Sequence, residues 1–373
     1  MILLKLFVLF SLSAFAQIDP EATGETKALY KRLDEIGRSI SQGEQKILIG
    51  QQNAFYEGRG WRLTNTDIGR KLRSDMKTSV GIHPAVVGFD FSEIGIWNED
   101  LVISRAREVH LRGGVVTLSW HAPSFVKDRI GNQSSNDVSS RVVKHILPGG
   151  KAHGAFVKEL DRLVTFLQKI NDVPIVFRPW HEHNFFWFWW GAPFCSKSQY
   201  ISLWRFTVDH LRSKGVHHLL YAYSPISIGD YFNRYPGDEY VDILGVDHYF
   251  RDRISDRFLY SLRSPLMDWK KTVIKLSQAA VDRNKIAAVT EFGLETSWYH
   301  RFWTDYFARP LEKEGMEEIL GEGKAPYKAP AFILLWRNDP HMAKHFYGPI
   351  PGHHNNPNFM EMLTGERFIG LPE

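Results

Sequence analysis

The sequence holds 373 residues with a formal net charge of +4, from 46 Lys and Arg against 42 Asp and Glu. No basic block accompanies that mild balance, so nucleic-acid recognition has no footing. Apolar residues make up 43% of the chain and twelve residues are tryptophan, while the one cysteine, Cys195, excludes an intrachain disulfide, so stability has to come from the size of the core.

The chain opens on MILLKLFVLFSLSAFA, where Lys5 stands near the start of an apolar run and Ala14-Phe15-Ala16 has the small-x-small form of a cleavage site. This predicts a signal peptide over residues 1–16, cut after Ala16, and hence a secreted or periplasmic protein. The run is too short for a membrane span, and no other stretch is long and apolar enough for one. Gln17 rather than cysteine follows the cleavage site, which argues against a lipid anchor. Residues 17–373 show no repeat and no linker, and read as a single domain and a monomer.

Residues 20–43 read as an added N-terminal helix. Eight short apolar runs follow: KILIG from Lys46, PAVVGFDF from Pro84, GVVTLSW from Gly114, VPIVFRPW from Val173, HLLYAYSP from His218, VDILGVDHY from Val241, KIAAVTEF from Lys285 and APAFILLW from Ala329. Each suits a strand buried on both faces. Stretches with helical spacing separate most of them, over 100–111, 156–170, 199–211 and 267–281. The polar, Gly/Ser/Asn-rich segment 127–150 reads as a loop, and the gap between the fifth and sixth runs is too short for a full helix. Eight strands alternating with helices predict an α/β fold, a single (β/α)8 TIM barrel with an added N-terminal helix.

Active sites of such barrels sit at the C-terminal ends of the strands. Nearly every run here ends in polar or aromatic groups: Asp90, then Trp120 and His121, then His181, Glu182 and His183, then Asp247, His248 and Tyr249, then Glu291, and last Trp336, Arg337 and Asn338. The richest tip is residues 178–191, RPWHEHNFFWFWWG, where a carboxyl group stands beside Trp187, Trp189 and Trp190. Sugar rings stack their C–H faces on indoles, and carboxylic acids break glycosidic bonds. Glu182 and Glu291 stand out as a pair, because strands four and seven face each other across the barrel mouth. Retaining glycosidases hold two carboxyl groups about 5–5.5 Å apart, one as proton donor and one as nucleophile. A regular strand would send Glu182 to the side opposite His181 and His183, so this reading needs a bend at the tip.

Two other readings fit parts of the pattern. His181, His183, Asp247, His248 and His121 could ligate zinc in a hydrolase barrel. A non-catalytic carbohydrate-binding protein would keep the tryptophans without needing two carboxylates. Trp61, Trp97, Trp204, Trp269, Trp298 and Trp303 read mainly as packing residues, Trp298 being the foremost exception. Cys195 reads as a buried apolar residue.

The ordered set of GFD at Gly88, TLSWHAP at Thr117, RPWHEHNFFWFWWG at Arg178, YSP at Tyr223, YPGDEYVDILGVDHY at Tyr235, TEFG at Thr290 and LLWRN at Leu334 resembles glycoside hydrolase family 26, mostly β-mannanases, over roughly residues 45 to 345. The resemblance implies hydrolysis of β-1,4-linked mannan, glucomannan or galactomannan without a cofactor or metal. It implies Glu182 as general acid/base and Glu291 as nucleophile. It further implies sugar contacts from His121, Trp120, His181, Trp187, Trp336 and Arg337, and a Tyr249 hydroxyl donating to the nucleophile. Burial against Trp187 and the charge of Glu291 should raise the pKa of Glu182, and Arg337 is expected to help keep Glu291 ionised. The same machinery could serve xylan or mixed-linkage β-glucan, or release mannobiose from chain ends. Asn184-Phe185-Phe186 departs from the small Gly-Ser or Gly-Asn pair that many members carry before the tryptophan. That places any difference from relatives on the aglycone side.

Overall fold

The computed structural model describes residues 17–39, 46–127, 133–250, 258–312, 327–365 and 367–371. The predicted signal peptide lies outside the described residues. Eight parallel strands form the barrel: β1 (Ile47–Gln52), β2 (Val86–Asp90), β3 (Val115–Trp120), β4 (Ile175–Pro179), β5 (Leu219–Tyr223), β6 (Ile243–Phe250), β7 (Ile286–Leu294) and β8 (Phe332–Leu335). Each pairs with the next, and β8 closes onto β1 with Leu48 opposite Phe332 and Gln51 opposite Leu335. Almost every strand residue is buried. That is why the sequence shows continuous apolar runs here instead of alternation.

The helical layer follows the predicted spacings closely. Helices Glu99–Leu111, His153–Lys169, Lys197–Ser213 and Phe258–Asp282 follow β2, β3, β4 and β6. Lys197–Ser213 shows how local sequence fixes one of them. The Ser196 hydroxyl accepts from the Gln199 amide at 3.1 Å, and the Gln199 side chain accepts from the Ser196 amide at 2.9 Å. This reciprocal cap satisfies two amides that helix geometry leaves unpaired. Tyr200, Leu203, Trp204, Thr207, Val208 and Leu211 then bury one face.

The ring is uneven elsewhere. Only the short turn Asp238–Tyr240 fits between β5 and β6, as the spacing predicts. After β7 the chain makes a π-helical stretch, Phe302–Ala308, and the segment predicted as pure loop carries one helical turn, Val143–Ile146. That turn forms because Val142, Val143 and Ile146 find apolar burial. Among the described residues no helix is long and apolar enough to cross a membrane.

The added helix is Gly24–Ser39, and it closes the end of the barrel opposite the site. Its segment bonds to the residues that lead into the strands. The Ile18 amide donates to Asp242, the Thr23 amide donates to the His217 carbonyl, Arg32 donates to the Gly113 carbonyl, and the Gly37 carbonyl accepts from Ala329. Leu29, Tyr30 and Leu33 bury beneath it.

One irregularity shapes the other end. Between β6 and β7 the register runs Val246 opposite Val289 and then Asp247 opposite Glu291, so Thr290 is an extra residue. The β7–β8 register slips at the same place. Simple alternation would put Thr290 and Glu291 on opposite faces. With the bulge, the Thr290 hydroxyl reaches Ser224 and Asp247, each at 2.8 Å, while the Glu291 carboxylate meets Arg178. Bulges are a recurrent means of re-aiming a side chain beside a site.

The bulge needs room, and Gly245 on β6 supplies it. A Cβ there would lie 2.6 Å from the Ser224 hydroxyl and 2.8 Å from both Thr290 branch atoms. Gly245→Ala is predicted to cost roughly 1–3 kcal/mol of stability through overpacking. Chemical denaturation reads this directly, and an unchanged midpoint would show that Thr290 moves aside freely.

Candidate active site

Arg178 lies inside β4 with 2% of its surface exposed, although the strand around it is apolar. A buried guanidinium must find carboxylates, because leaving it unpaired costs several kcal/mol. It finds two. One Nη donates to Asp247 on β6 at 2.9 Å and the other donates to Glu291 on β7. The Tyr249 hydroxyl donates to the second oxygen of Glu291 at 2.6 Å. Both oxygens of Glu291 are therefore held by donors. Burial and the nearby negative groups hold the Tyr249 phenol well above its ordinary pKa, so it stays a donor.

Glu182 reaches the same space from the tip of β4. The strand breaks at Pro179, and Trp180 and Glu182 adopt left-handed backbone with φ of 51° and 52°. Such conformations cost roughly 1–3 kcal/mol each in residues other than glycine. They undo strand alternation, so that Glu182 and His181 both face the barrel mouth. Packing supports the bend. Trp180 turns outward and donates to Thr207 at 3.1 Å, Trp190 donates to the His181 carbonyl at 2.7 Å, and the Glu182 amide donates to the Ser224 carbonyl at 2.7 Å.

Carboxylate oxygens of Glu182, Asp247 and Glu291 lie within 4.8 Å of one another. Burial, and then the charges of Glu291 and Asp247, push the Glu182 pKa well above the ordinary carboxylate range. The Trp187 indole, which donates to Glu182, pulls the other way and is outweighed. Two carboxylates thus stand side by side in unlike environments, one held as an acid and one bound by a cation and a phenol. That division is what acid and nucleophile chemistry requires.

A chain of imidazoles forms the adjoining wall. His121 Nδ1 donates to Asp90 at 2.6 Å, and Asp90 also accepts from the Ser119 hydroxyl at 2.6 Å and the Ser92 amide at 2.9 Å. Burial alone would lower the His121 pKa, but the charge and hydrogen bond of Asp90 outweigh it and raise it. His121 and His181 place their Nε2 atoms 3.2 Å apart, and His181 Nε2 lies 3.9 Å from Glu291. Burial, then Arg178 and His121, hold His181 well below its usual pKa and keep it neutral.

The predicted residues gather in a cleft of about 570 Å³ lined by His121, Glu182, Trp187, Tyr249, Glu291 and Trp336. His181 does not line it but is buried against two lining residues, His121 and Glu291. Two expectations need correction. Trp120 does not reach the cleft, since it is fully buried against Phe91 and Trp180. Alternation along β3 turns Ser119 inward to Asp90 and so sends Trp120 outward. Arg337 pairs with Glu57 at 2.9 Å and Asp339 at 2.8 Å, and the cation bonded to Glu291 is Arg178 instead.

Of the histidines in the zinc reading, His121 and His181 meet, while the other two are packed elsewhere. His183 is stacked between Tyr200 and Tyr223, and His248 lies against Trp269. Two of the three close carboxylates, Asp247 and Glu291, already share Arg178. Trp189, Trp190, Trp204, Trp269, Trp303 and Cys195 are buried packing residues. Sequence reading overlooked Arg178 and the cleft residues Ile226, Glu295 and Tyr347. For Arg178 a signal existed, namely a charge within an apolar run. The other three have no local signature: Ile226 and Tyr347 sit on loops, and Glu295 opens the 3-10 turn Glu295–Ser297 after β7.

Comparison with known proteins gives a consistent family. The model of glycosyl hydrolase family 26 matches residues 18–320. A mannan endo-1,4-beta-mannosidase from Bifidobacterium adolescentis is 36% identical over 305 residues, covering 74% of this chain. The aligned region spans only 27% of that relative's length. A mannan endo-1,4-beta-mannosidase from Bacillus subtilis is 29% identical, covering 64% of this chain and 67% of the relative. Among solved structures, a family 26 β-mannanase from Bacteroides ovatus superposes with a TM-score of 0.78 at 30% identity, covering 94% of this chain and 96% of that one. The catalytic domain of a Bacillus sp. JAMB-750 endo-β-1,4-mannanase gives 0.80 at 32% identity, covering 96% and 94%.

Removing the shared cation should be costly. Arg178→Leu leaves Asp247 and Glu291 buried without their partner, and is predicted to lower stability by about 3–5 kcal/mol. Urea denaturation measures this. A loss below about 1 kcal/mol would mean that the two carboxylates do not depend on Arg178.

Proposed function

The chain belongs to glycosyl hydrolase family 26, and from that premise we propose that it is an endo-acting enzyme that cleaves β-1,4-mannosidic bonds in mannan, glucomannan or galactomannan with retention of configuration. The observation that carries the mechanism is the closeness of Glu182 and Glu291, whose oxygens come within 4.8 Å. Retaining enzymes hold their carboxyl groups about 5–5.5 Å apart, whereas inverting enzymes need about 6.5–9.5 Å to admit a water. The mannan substrate is supported by the relatives, whose names give mannan endo-1,4-beta-mannosidase.

In this reading Glu182 donates its proton to the glycosidic oxygen while a Glu291 oxygen attacks the anomeric carbon. The leaving chain departs with a new hydroxyl, and a glycosyl ester remains on Glu291. The ester carries no charge, so the repulsion from Glu291 that helped to raise the Glu182 pKa disappears. Glu182, now ionised, takes a proton from water as that water attacks the anomeric carbon and frees Glu291. Arg178 and Tyr249 position the nucleophile. Trp336, Trp187, His121 and His181 bind the sugars beside the scissile bond. The proposal includes a single catalytic domain over residues 17–373, exported by the signal peptide at residues 1–16 and acting as a monomer.

A panel of mannan, glucomannan, galactomannan, xylan and mixed-linkage β-glucan, with product sizing, tests the substrate. Internal cleavage of the mannans is expected, and release from xylan or β-glucan alone would overturn the assignment. The pH profile tests the role of Glu182. Activity requires its protonated form and so falls as pH rises through its raised pKa. The Trp187 indole favours the charged form, so Trp187→Phe should raise that pKa further and move the alkaline limb of kcat/KM to higher pH. A limb that stays in place or moves down would show that another group sets it.

A further inference from the structure

The cleft wall continues past Trp187 through two rings that the chemistry above leaves without a task. Phe185 packs on Trp187 with ring centroids 4.3 Å apart, and Phe186 packs on Phe185 at 4.3 Å with an interplanar angle of 31°. Phe186 is 57% exposed. The three rings form one cluster that runs from a catalytic carboxylate to solvent: Phe186 also lies 5.8 Å from Trp187, whose indole donates to Glu182. Large exposed aromatics that the core does not need mark binding surfaces. This one is joined to the cleft rather than isolated.

The rings also sit on a fixed turn. The Phe185 amide donates to the Glu182 carbonyl at 3.1 Å, and the Phe185 carbonyl accepts from Ala192 at 3.1 Å. Gly191 lies tight beneath it, since a Cβ there would come within 2.3 Å of the Phe185 carbonyl. On the preceding side the Asn184 side chain accepts at Oδ1 from the backbone amide of Ile226, a cleft residue, at 2.9 Å, and its Nδ2 donates to the Ser227 hydroxyl at 3.2 Å. A rigid aromatic surface loses little conformational entropy when a ligand covers it.

We propose that Phe185 and Phe186 form an aglycone platform that stacks a sugar of the leaving chain beyond the one beside Trp187. The proposal rests on the retaining mechanism above. The group that protonates the leaving oxygen must face the leaving sugar, so the rings extending from Glu182 lie along the departing chain. Phenylalanine has no polar atom, so the platform reads the apolar C–H face of the sugar and makes no hydrogen bond to a hydroxyl. It therefore accepts mannose or glucose units alike, a property suited to a mixed glucomannan backbone.

The test compares wild type, Phe186→Ala and the double variant Phe185→Gly, Phe186→Ser on two substrates. Mannohexaose places sugars along the leaving side, whereas an aryl β-mannobioside places only its aryl group there. The ratio of kcat/KM on mannohexaose to that on the aryl mannobioside should fall roughly 3- to 10-fold in Phe186→Ala, mainly through KM, and further in the double variant. The mannohexaose cleavage point should shift as well. An unchanged ratio and cleavage pattern overturn the platform. An equal fall on both substrates also overturns it, because that is the mark of a turn needed only for folding. If the wild type cleaves neither substrate, the proposed function fails first and the platform with it.

Discussion

The site depends on one buried guanidinium. Arg178 is planar, permanently charged and able to offer two parallel donors, which suits a position shared by two carboxylates. Its partners come from β6 and β7, so the ion group ties three strands together at the barrel mouth. Replaced as a set by apolar residues, such a group need not make the fold less stable. What it does is allow several buried acids to occupy a small volume. Without it, Asp247 and Glu291 would lie buried beside Glu182 with no cation between them.

Around that centre the backbone departs from regularity in two places, and both departures serve the same geometry. Left-handed residues at 180 and 182 bend the tip of β4, and the bulge at Thr290 re-aims β7. Neither is favourable alone. The tryptophans after β4 help to hold the first, since Trp189 and Trp190 are fully buried and their indoles bond to the Ala122 and His181 carbonyls. Ser224 and Asp247 hold the second through Thr290. The indole cluster that looks at first like a sugar-binding wall is thus divided in use. Trp187 faces the cleft, and its two neighbours support the bend that presents Glu182.

Much of this was legible in the sequence because parallel barrel strands are buried on both faces. Their apolar runs stand out, and the groups at their ends mark the mouth. Glu182, Glu291, Tyr249, His121 and Trp336 were found that way, aided by the family resemblance. Trp120 misled because position at a strand end was read without its alternation. Arg337 misled because it looked like the nearest cation, while Arg178 was hidden within a strand. The Thr290 bulge could not be read, since its partners lie on other strands. The π-helical stretch after β7 also carries no clear sequence pattern, because its aromatic residues lack the helical spacing seen elsewhere.

In the proposed mechanism Glu291, held by Arg178 and Tyr249, is the group that bonds to the sugar. The most direct measurement is peptide mass spectrometry after incubation with an activated aryl 2-deoxy-2-fluoro-β-mannobioside, which forms the glycosyl ester faster than water removes it. One fluoroglycosyl adduct is expected, carried by the peptide that contains Glu291. An adduct on Glu182 or Asp247, or turnover of an ordinary substrate with inversion and no adduct at all, would contradict it.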